Sequence, residues 1–553
     1  MCHLLLYLFL LLSVPAVLGQ GAQQAEAIEQ KRLVYFTDKA GTPFSLDNPQ
    51  AFLSPRSLER RQRQHISLTS RDLPVNPAYV SELKKQGVPV WYTSRWFNAA
   101  VVQCSDEQLA QLEKLPFVKG SYTLNRIAQP RQESHPLQQD QKLSFSIKVP
   151  APAGAQDYGP AFHQANMLGA VDLHQAGFRG EGMLIAVLDA GFPNLNAIPA
   201  LTQLLQNKQL QGTFDFVLNQ QDVFGGDAHG TSVLSTMAAY APGTFLGTAY
   251  GASYLLLRTE DAATEHPLEE INWLLAAEYA DSAGADVINS SLGYTTFDAP
   301  AQSYTYADLD GNTALVSRAA DMAAAAGILV VASAGNDGNK AWHFISAPAD
   351  ADSVLTVGAV DSLGMKAAFS SFGPASDGRI KPDVVALGQL AYVLNVAGNV
   401  GQSNGTSFSG PIMAGFATCL WQAYPGKTNI EIIQLLHQLG SKANSPDNAI
   451  GYGIPSYARI VTALPEASAA ASAFITNPVT GEEIILTLGP EWGAQPLALS
   501  IVDATGKMVY QETLPAGQSR QVLGLRGHSL KQGLYICRLR AGNQSATLRL
   551  IKL

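Results

Sequence analysis

The sequence predicts an α/β domain of three layers around a parallel sheet, preceded by a small α+β unit and followed by an all-β sandwich. Three patterns carry that expectation. Residues 158–465 alternate short, nearly continuous apolar runs with helical stretches, as strands buried on both faces of a parallel sheet require. Residues 20–126 mix strand-like and helix-like segments. Residues 475–553 carry short alternating segments separated by turn residues. With 553 residues, 46% of them hydrophobic and 15% charged, the chain can build several buried cores.

The first stretch, MCHLLLYLFLLLSVPAVLGQ, has an apolar run from Leu4 to about Leu12, then Ser13, Pro15 and small residues. It reads as a signal peptide over 1–19, too short to span a bilayer and with cleavage near Gly19. No later stretch is apolar enough for a transmembrane segment. Cys2 leaves with the signal, and Cys104, Cys419 and Cys537 fall in three different segments, so no disulfide framework is expected. The net charge is −9 with no long run of one sign, which argues against nucleic acid as a partner.

In the N-terminal unit, residues 33–38 and 96–104 read as strands, and 78–87 and 105–115 as helices. Ser105 is a good N-cap, with Gln108 three residues later to complete a capping box. The basic run RSLERRQRQ (56–64) is expected on a solvated helix face rather than at a processing site. Residues 127–157, rich in Gln, Pro and Ser, form a linker open to proteases.

In the central domain the apolar strands fall at 182–192, 252–258, 285–293, 327–336 and 353–360, with helices at 268–284 and 314–327 between several of them. Open parallel sheets place their sites in loops at the carboxyl ends of the strands. Residues 466–474, EASAAASAF, are a small-residue linker. In the last unit, 483–489, 497–512, 533–542 and 545–553 are the strand segments.

Three residues within this frame carry chemistry. Asp189 ends the buried strand AVLDAGF, where a carboxylate is costly without a partner. His229 opens the small-residue helix HGTSVLSTMAA. Ser407 lies in GTSFSGP, on a turn that feeds a buried helix and lends the hydroxyl the positive end of the helix dipole. A hydroxyl is a poor nucleophile unless a base and an orienting acid accompany it, and His229 and Asp189 supply that pair. Cys419, on the helix after Ser407, is a small core residue rather than a nucleophile.

With these motifs in the order Asp, His, Ser, residues 158–465 resemble the subtilisin-like serine proteases, the subtilase family. The resemblance implies a secreted serine endopeptidase that hydrolyses peptide bonds through an acyl-enzyme. Ser407 would attack the carbonyl, His229 would relay the proton, and Asp189 would hold the imidazole. Asn336, in VVASAGNDG, would donate to the oxyanion. Ser291–Leu292–Gly293 and Ser333–Ala334–Gly335 would pair with the polypeptide substrate. One position departs from the pattern: Ala190 stands where the family usually has Ser or Thr, so a hydrogen bond to Asp189 is expected to be missing.

Residues 20–126 resemble the inhibitory propeptide of this family, the chain's own intramolecular inhibitor, released within 127–157. NPVTGEEIILTL (477–488), DATGKMVY (503–510) and GLYICRLRAG (533–542) resemble the sorting domain of type IX secretion. That implies a secretion-machinery partner, and secretion to the medium or the cell surface of a Gram-negative bacterium after passage through the periplasm. Trp492 stands alone, without the aromatic cluster of a sugar-binding sandwich. No cofactor is required; a structural calcium is considered only at DLDGNT (308–313), otherwise a polar turn. Two other classes compete: a silent binding scaffold of the same fold, and an esterase or peptide-transfer enzyme using the same acyl-enzyme.

Overall fold

The structure, a computed structural model, describes residues 30–126, 157–460 and most of 473–552. The signal peptide and most of both linkers lie outside the described residues.

The N-terminal unit runs β1 (Gln30–Phe36), α1 (Pro55–Arg63), α2 (Pro77–Lys85), β2 (Val90–Ser94), β3 (Ala99–Cys104), α3 (Asp106–Leu112) and β4 (Val118–Arg126). Its strands form an antiparallel sheet in the order β2-β3-β1-β4. The capping box forms as read: Gln108 N donates to Ser105 Oγ at 3.3 Å and Ser105 N to Gln108 Oε1 at 3.0 Å. The strand read from residue 96 begins only at Ala99, because Asn98 turns the chain with φ of 49°.

The central domain runs α4 (Phe162–Leu168), α5 (Ala170–Gln175), β5 (Leu184–Asp189), α6 (Pro199–Gln206), β6 (Leu210–Asp215), α7 (His229–Ala238), the short β7 (Tyr240–Ala241) and β8 (Phe245–Leu246), then β9 (Ser253–Arg258) and α8 (Pro267–Ala283). It continues with β10 (Val287–Ser290), α9 (Leu315–Ala325), β11 (Leu329–Ser333), β12 (Leu355–Val360), β13 (Val384–Leu387), the hairpin β14 (Ala391–Leu394) and β15 (Val400–Ser403), α10 (Thr406–Ala423) and α11 (Asn429–Gln438).

Seven parallel strands form one sheet in the order β13-β12-β11-β10-β5-β9-β6. Alternate residues of β5 go to opposite faces. Ile185 and Val187 pack with residues of α7 and α10 such as Val233, Met237 and Ile412. Leu184, Ala186 and Leu188 pack with Ile271 and Trp273 of α8 and Ala319 and Ala323 of α9. This second layer also takes in Leu33, Trp96, Phe97, Val101 and Leu124 of the N-terminal unit, whose sheet therefore covers α8 and α9. Burial on both faces is why these strands read as continuous apolar runs.

The basic run 56–64 corrects its sequence reading. It forms a helix, but Arg60 and Arg61 are 1% and 2% exposed, buried against Asp281 of α8. A solvated face would leave those guanidiniums in water. A buried one needs the carboxylate that the central domain supplies.

The last unit comprises β16 (Ala473–Ile475), β17 (Glu483–Leu488), β18 (Leu497–Asp503), β19 (Met508–Leu514), β20 (Arg520–Gly524), β21 (Gly533–Ala541) and β22 (Gln544–Lys552). Two antiparallel sheets, β16-β17-β20 and β19-β18-β21-β22, enclose a shared core. The segment read as one strand over 497–512 is two, folded back where Lys507 N donates to Asp503 Oδ1 at 3.0 Å. Trp492 belongs to this core and is 2% exposed, so it offers no sugar platform. Cys104, Cys419 and Cys537 are all buried. Among the described residues no helix is long and apolar enough to cross a membrane.

Candidate active site

Asp189 is the last residue of β5 and is fully buried. Its Oδ1 accepts from His229 Nδ1 at 2.8 Å and from the Ala190 amide at 2.8 Å. Its Oδ2 is buried with no hydrogen-bond partner among the described residues. Ala190 brings a methyl and no hydroxyl to this point, and its backbone amide orients the other oxygen. The main chain is fixed as well, since Thr259 N donates to Asp189 O at 3.0 Å. Gly230 is required beside it: a Cβ there would lie 2.3 Å from Gly191 O and 3.0 Å from Asp189 Cβ.

His229 is the first residue of α7. Its amide, one of the donors a helix start leaves unpaired, is met by Asp227 Oδ1 at 2.8 Å. Its ring is part-exposed and lies 5.9 Å, centroid to centroid, from Phe408. An imidazole donating through Nδ1 to a buried carboxylate presents Nε2 as the acceptor, the tautomer a general base needs.

Ser407 is the second residue of α10, which starts from Gly405 at φ 152°. Its Oγ donates to Ser291 O at 3.4 Å, a long bond that leaves the hydroxyl loosely held. Its carbonyl is held more firmly. Pro411, four residues on, has no N–H to give it. Ser291 Oγ donates to it instead at 3.0 Å, and Asn289 Nδ2 donates to Ser291 Oγ at 3.0 Å. The turn carrying Ser407 is thereby tied to the end of β10.

Asn336 is exposed, three residues beyond β11. Its Oδ1 accepts from Thr406 N at 2.8 Å and from Thr406 Oγ1 at 3.1 Å. The oxygen is thus committed to the residue preceding Ser407, and the amide nitrogen is the end turned elsewhere. Thr406 Oγ1 also accepts from Gly335 N at 3.1 Å, and Ser333 Oγ donates to Thr406 O at 2.8 Å. Thr406 therefore couples the β11 end to the Ser407 turn.

Ser291, Leu292 and Gly293 follow β10, and Ser333, Ala334 and Gly335 end or follow the neighbouring β11. Gly293 and Gly335 flank one buried hydroxyl, Ser346 Oγ, which has no hydrogen-bond partner among the described residues. A Cβ on either glycine would approach it to 2.1 or 3.1 Å. All five elements bearing the sequence-predicted residues meet at the carboxyl edge of the sheet, where β5, β10 and β11 end, with α7 and α10 beginning there.

A family profile described as the subtilase family matches residues 180–453. A profile for the peptidase S8 propeptide domain of Bacteroidota matches 31–140, and one for a secretion system C-terminal sorting domain matches 477–553. Subtilisin NAT from Bacillus subtilis subsp. natto is 29% identical over 379 residues, 67% of this chain and 82% of the relative. Subtilisin DY from Bacillus licheniformis is 30% identical over 279 residues, 50% of this chain and 89% of the relative. A subtilisin from Bacillus pumilus is 31% identical over 268 residues, 47% and 84% of the two chains.

The chain belongs to the subtilase family.

This subtilase is a serine-type endopeptidase that acts on polypeptide substrates. It carries its own propeptide as an intramolecular inhibitor and a C-terminal domain that addresses it to the type IX secretion machinery. It is a secreted or cell-surface protein of a Gram-negative bacterium of the Bacteroidota.

Sequence reasoning missed the tie from Ser291 to the Ser407 carbonyl, although Pro411 at four residues' distance signals a freed carbonyl. It also missed Thr406 as the holder of Asn336, for which a threonine at a helix start gives no distinctive sign. At 308–313, Asp310 Oδ1 accepts from Asn312 N and Thr313 N at 2.8 and 2.7 Å. Asp308 Oδ2 accepts from Thr305 N at 2.7 Å. Both carboxylates thus serve as local caps.

Proposed function

We propose that Ser407 is the nucleophile of this subtilase, His229 its general base and acid, and Asp189 the group that orients the imidazole. The observation that carries this reading is the 2.8 Å bond from His229 Nδ1 to the buried Asp189, at the sheet edge where Ser407 opens α10. His229 takes the Ser407 proton as Oγ bonds to the scissile carbonyl carbon, and returns it to the leaving amine when the acyl-enzyme forms. A water then repeats the sequence in reverse and frees the acid product. Asp189 keeps its charge throughout and stabilises the imidazolium.

Asn336 Nδ2 and the Ser407 amide are the donors to the oxyanion. The grip of Thr406 on Asn336 Oδ1 supports this, because it sets which end of the side chain faces the site. The segments 291–293 and 333–335 receive the substrate backbone as added strands, with Gly293 and Gly335 admitting close approach. Propeptide release falls within 127–157, and the chain crosses the periplasm before the sorting domain acts. The segment 308–313 is a polar turn, a reading supported by Asp308 and Asp310 accepting from the backbone amides of Thr305, Asn312 and Thr313.

The test is peptide hydrolysis by the matured enzyme and by Ser407→Ala, His229→Ala and Asp189→Asn. Ser407→Ala and His229→Ala are expected to lose about 10⁶ in kcat, with a smaller loss for Asp189→Asn. Equal rates in Ser407→Ala and wild type would refute the assignment.

A further inference from the structure

The N-terminal unit touches the protease in a second place, far from the cleft. Asp281 lies in the last turn of α8, and Asp286 directly precedes β10. Asp286 Oδ2 accepts from Leu184 N at 3.0 Å, which places it at the amino ends of β5 and β10. Asp189 and Ser291 stand at their carboxyl ends. A six-residue strand separates the two places by roughly 20 Å.

Three guanidiniums of the N-terminal unit converge on the fully buried Asp281. Arg61 binds both its oxygens, at 2.7 and 2.8 Å, Arg95 binds Oδ2 at 2.6 Å, and Arg60 binds Oδ1. Burial alone would raise the Asp281 carboxyl, but Arg60, Arg95 and Arg61 together hold it well below the usual carboxylate range. Asp286 takes Arg56 and, at 3.0 Å, Arg63.

The same helix caps two helices of the protease. The carbonyls at a helix end lack partners and carry partial negative charge. Arg56 Nε donates to Gly284 O at 2.9 Å, just past α8. Arg60 Nε donates to Ala326 O at 3.2 Å, and Gln64 Nε2 to Gly327 O at 2.7 Å, just past α9. Gln64 Oε1 accepts from Asn429 N at 2.9 Å, at the start of α11. Gly284 and Gly327 are needed for this fit, since a Cβ there would meet Arg56 at 2.7 Å and Gln64 at 2.8 Å.

We infer that the carboxyl ends of α8 and α9, with Asp281 and Asp286, form a guanidinium-binding surface whose partner is the basic helix α1 of the propeptide. The helix is an anchor independent of the cleft, and it holds the propeptide on the protease after the chain between them has been cut. After cleavage between 126 and 157, loss of the propeptide then requires release of α1 from this surface. The Arg60–Arg61 bond, buried in the anchor, is cut last. The inference rests on the propeptide identity of this unit and not on the roles of Asp189, His229 and Ser407.

The experiment uses the full chain bearing Ser407→Ala, so that self-processing plays no part. Trypsin is added in trace amount; the segment 127–157 offers it Arg131, Lys142 and Lys148. The expected result is cleavage in that segment with Arg60–Arg61 intact, and co-elution of the N-terminal fragment with the protease on gel filtration. Adding Arg60→Gln and Arg61→Gln should release the fragment on the order of a hundredfold faster. Immediate release from the parent chain, equal retention in the variant, or first cleavage at Arg60–Arg61 would each overturn the inference. Hydrogen exchange on the uncut chain gives an answer that needs no further variant. The amides of α1 should exchange as slowly as those at the end of α8, and exchange within seconds, as in a solvated helix, would equally overturn it.

Discussion

The Ser291 hydroxyl donates to the Ser407 carbonyl at 3.0 Å, the carbonyl that Pro411 leaves without its helical partner. Two residues that read in the sequence as a substrate edge and a nucleophile are thus joined mechanically. Proline at the sixth position of α10 frees an acceptor, and the neighbouring strand end fills it. Replacing Ser291 with Ala should leave that part-buried carbonyl without the hydroxyl that now fills it. We expect a loss of ~1–2 kcal/mol in stability and about tenfold in kcat with KM nearly unchanged, because the turn that aims Ser407 loosens. Denaturant melts and steady-state kinetics on a short peptide would check both. An unchanged kcat beside lowered stability would limit Ser291 to a packing role.

Asn336 offers a second prediction. With Oδ1 held by Thr406, Asn336→Leu should lower kcat by about 10²–10³ and leave KM close to wild type, the signature of a donor used mainly in the transition state. Thr406→Ala should give a smaller loss of the same kind, since Asn336 would still accept from the residue-406 amide. A rise in KM alone in Asn336→Leu would point to ground-state binding.

Glu270 sets a pH dependence of stability. It is 1% exposed beneath the N-terminal sheet. Burial pushes its carboxyl up to about 7, against the opposing hydrogen bonds from Tyr304 and the Val316 amide. The folded protein therefore holds this proton more tightly than the unfolded chain. That stabilisation is complete below about pH 4.5 and is lost as the pH rises through about 7. Glu270→Gln should remove up to about 3 kcal/mol of this decline. Some decline should persist, because burial also raises Glu260 to about 7 and Glu265 to about 8. Denaturation of Ser407→Ala protein at pH 5 and pH 8, with and without the substitution, would show it; parallel losses in both proteins would exclude Glu270.

Much of this was legible in the sequence, for a physical reason. Strands such as β5 and β11 are buried on both faces, so their apolar runs need no partner to be recognised. Ser105 and Gln108 form a local cap that three residues of spacing reveal. What escaped depends on distant partners. β6, with a mixed burial pattern, lacks a continuous apolar run. The arginines of α1 look like any solvated basic helix until Asp281, more than 200 positions away, is brought to them. At Ala190 the sequence shows the missing hydroxyl, but not the Ala190 amide on Asp189 Oδ1, because every residue has an amide.

The central claim is that Ser407 is the attacking atom's residue in an acyl-transfer site completed by Asp189 and His229. The most direct test is a serine-directed fluorophosphonate applied to the matured enzyme, with the modified peptide identified by mass spectrometry. The predicted result is one phosphonyl adduct on Ser407, absent from Ser407→Ala and strongly slowed in His229→Ala. A matured enzyme that cleaves peptides but takes no label, or label that persists undiminished in Ser407→Ala, would contradict it.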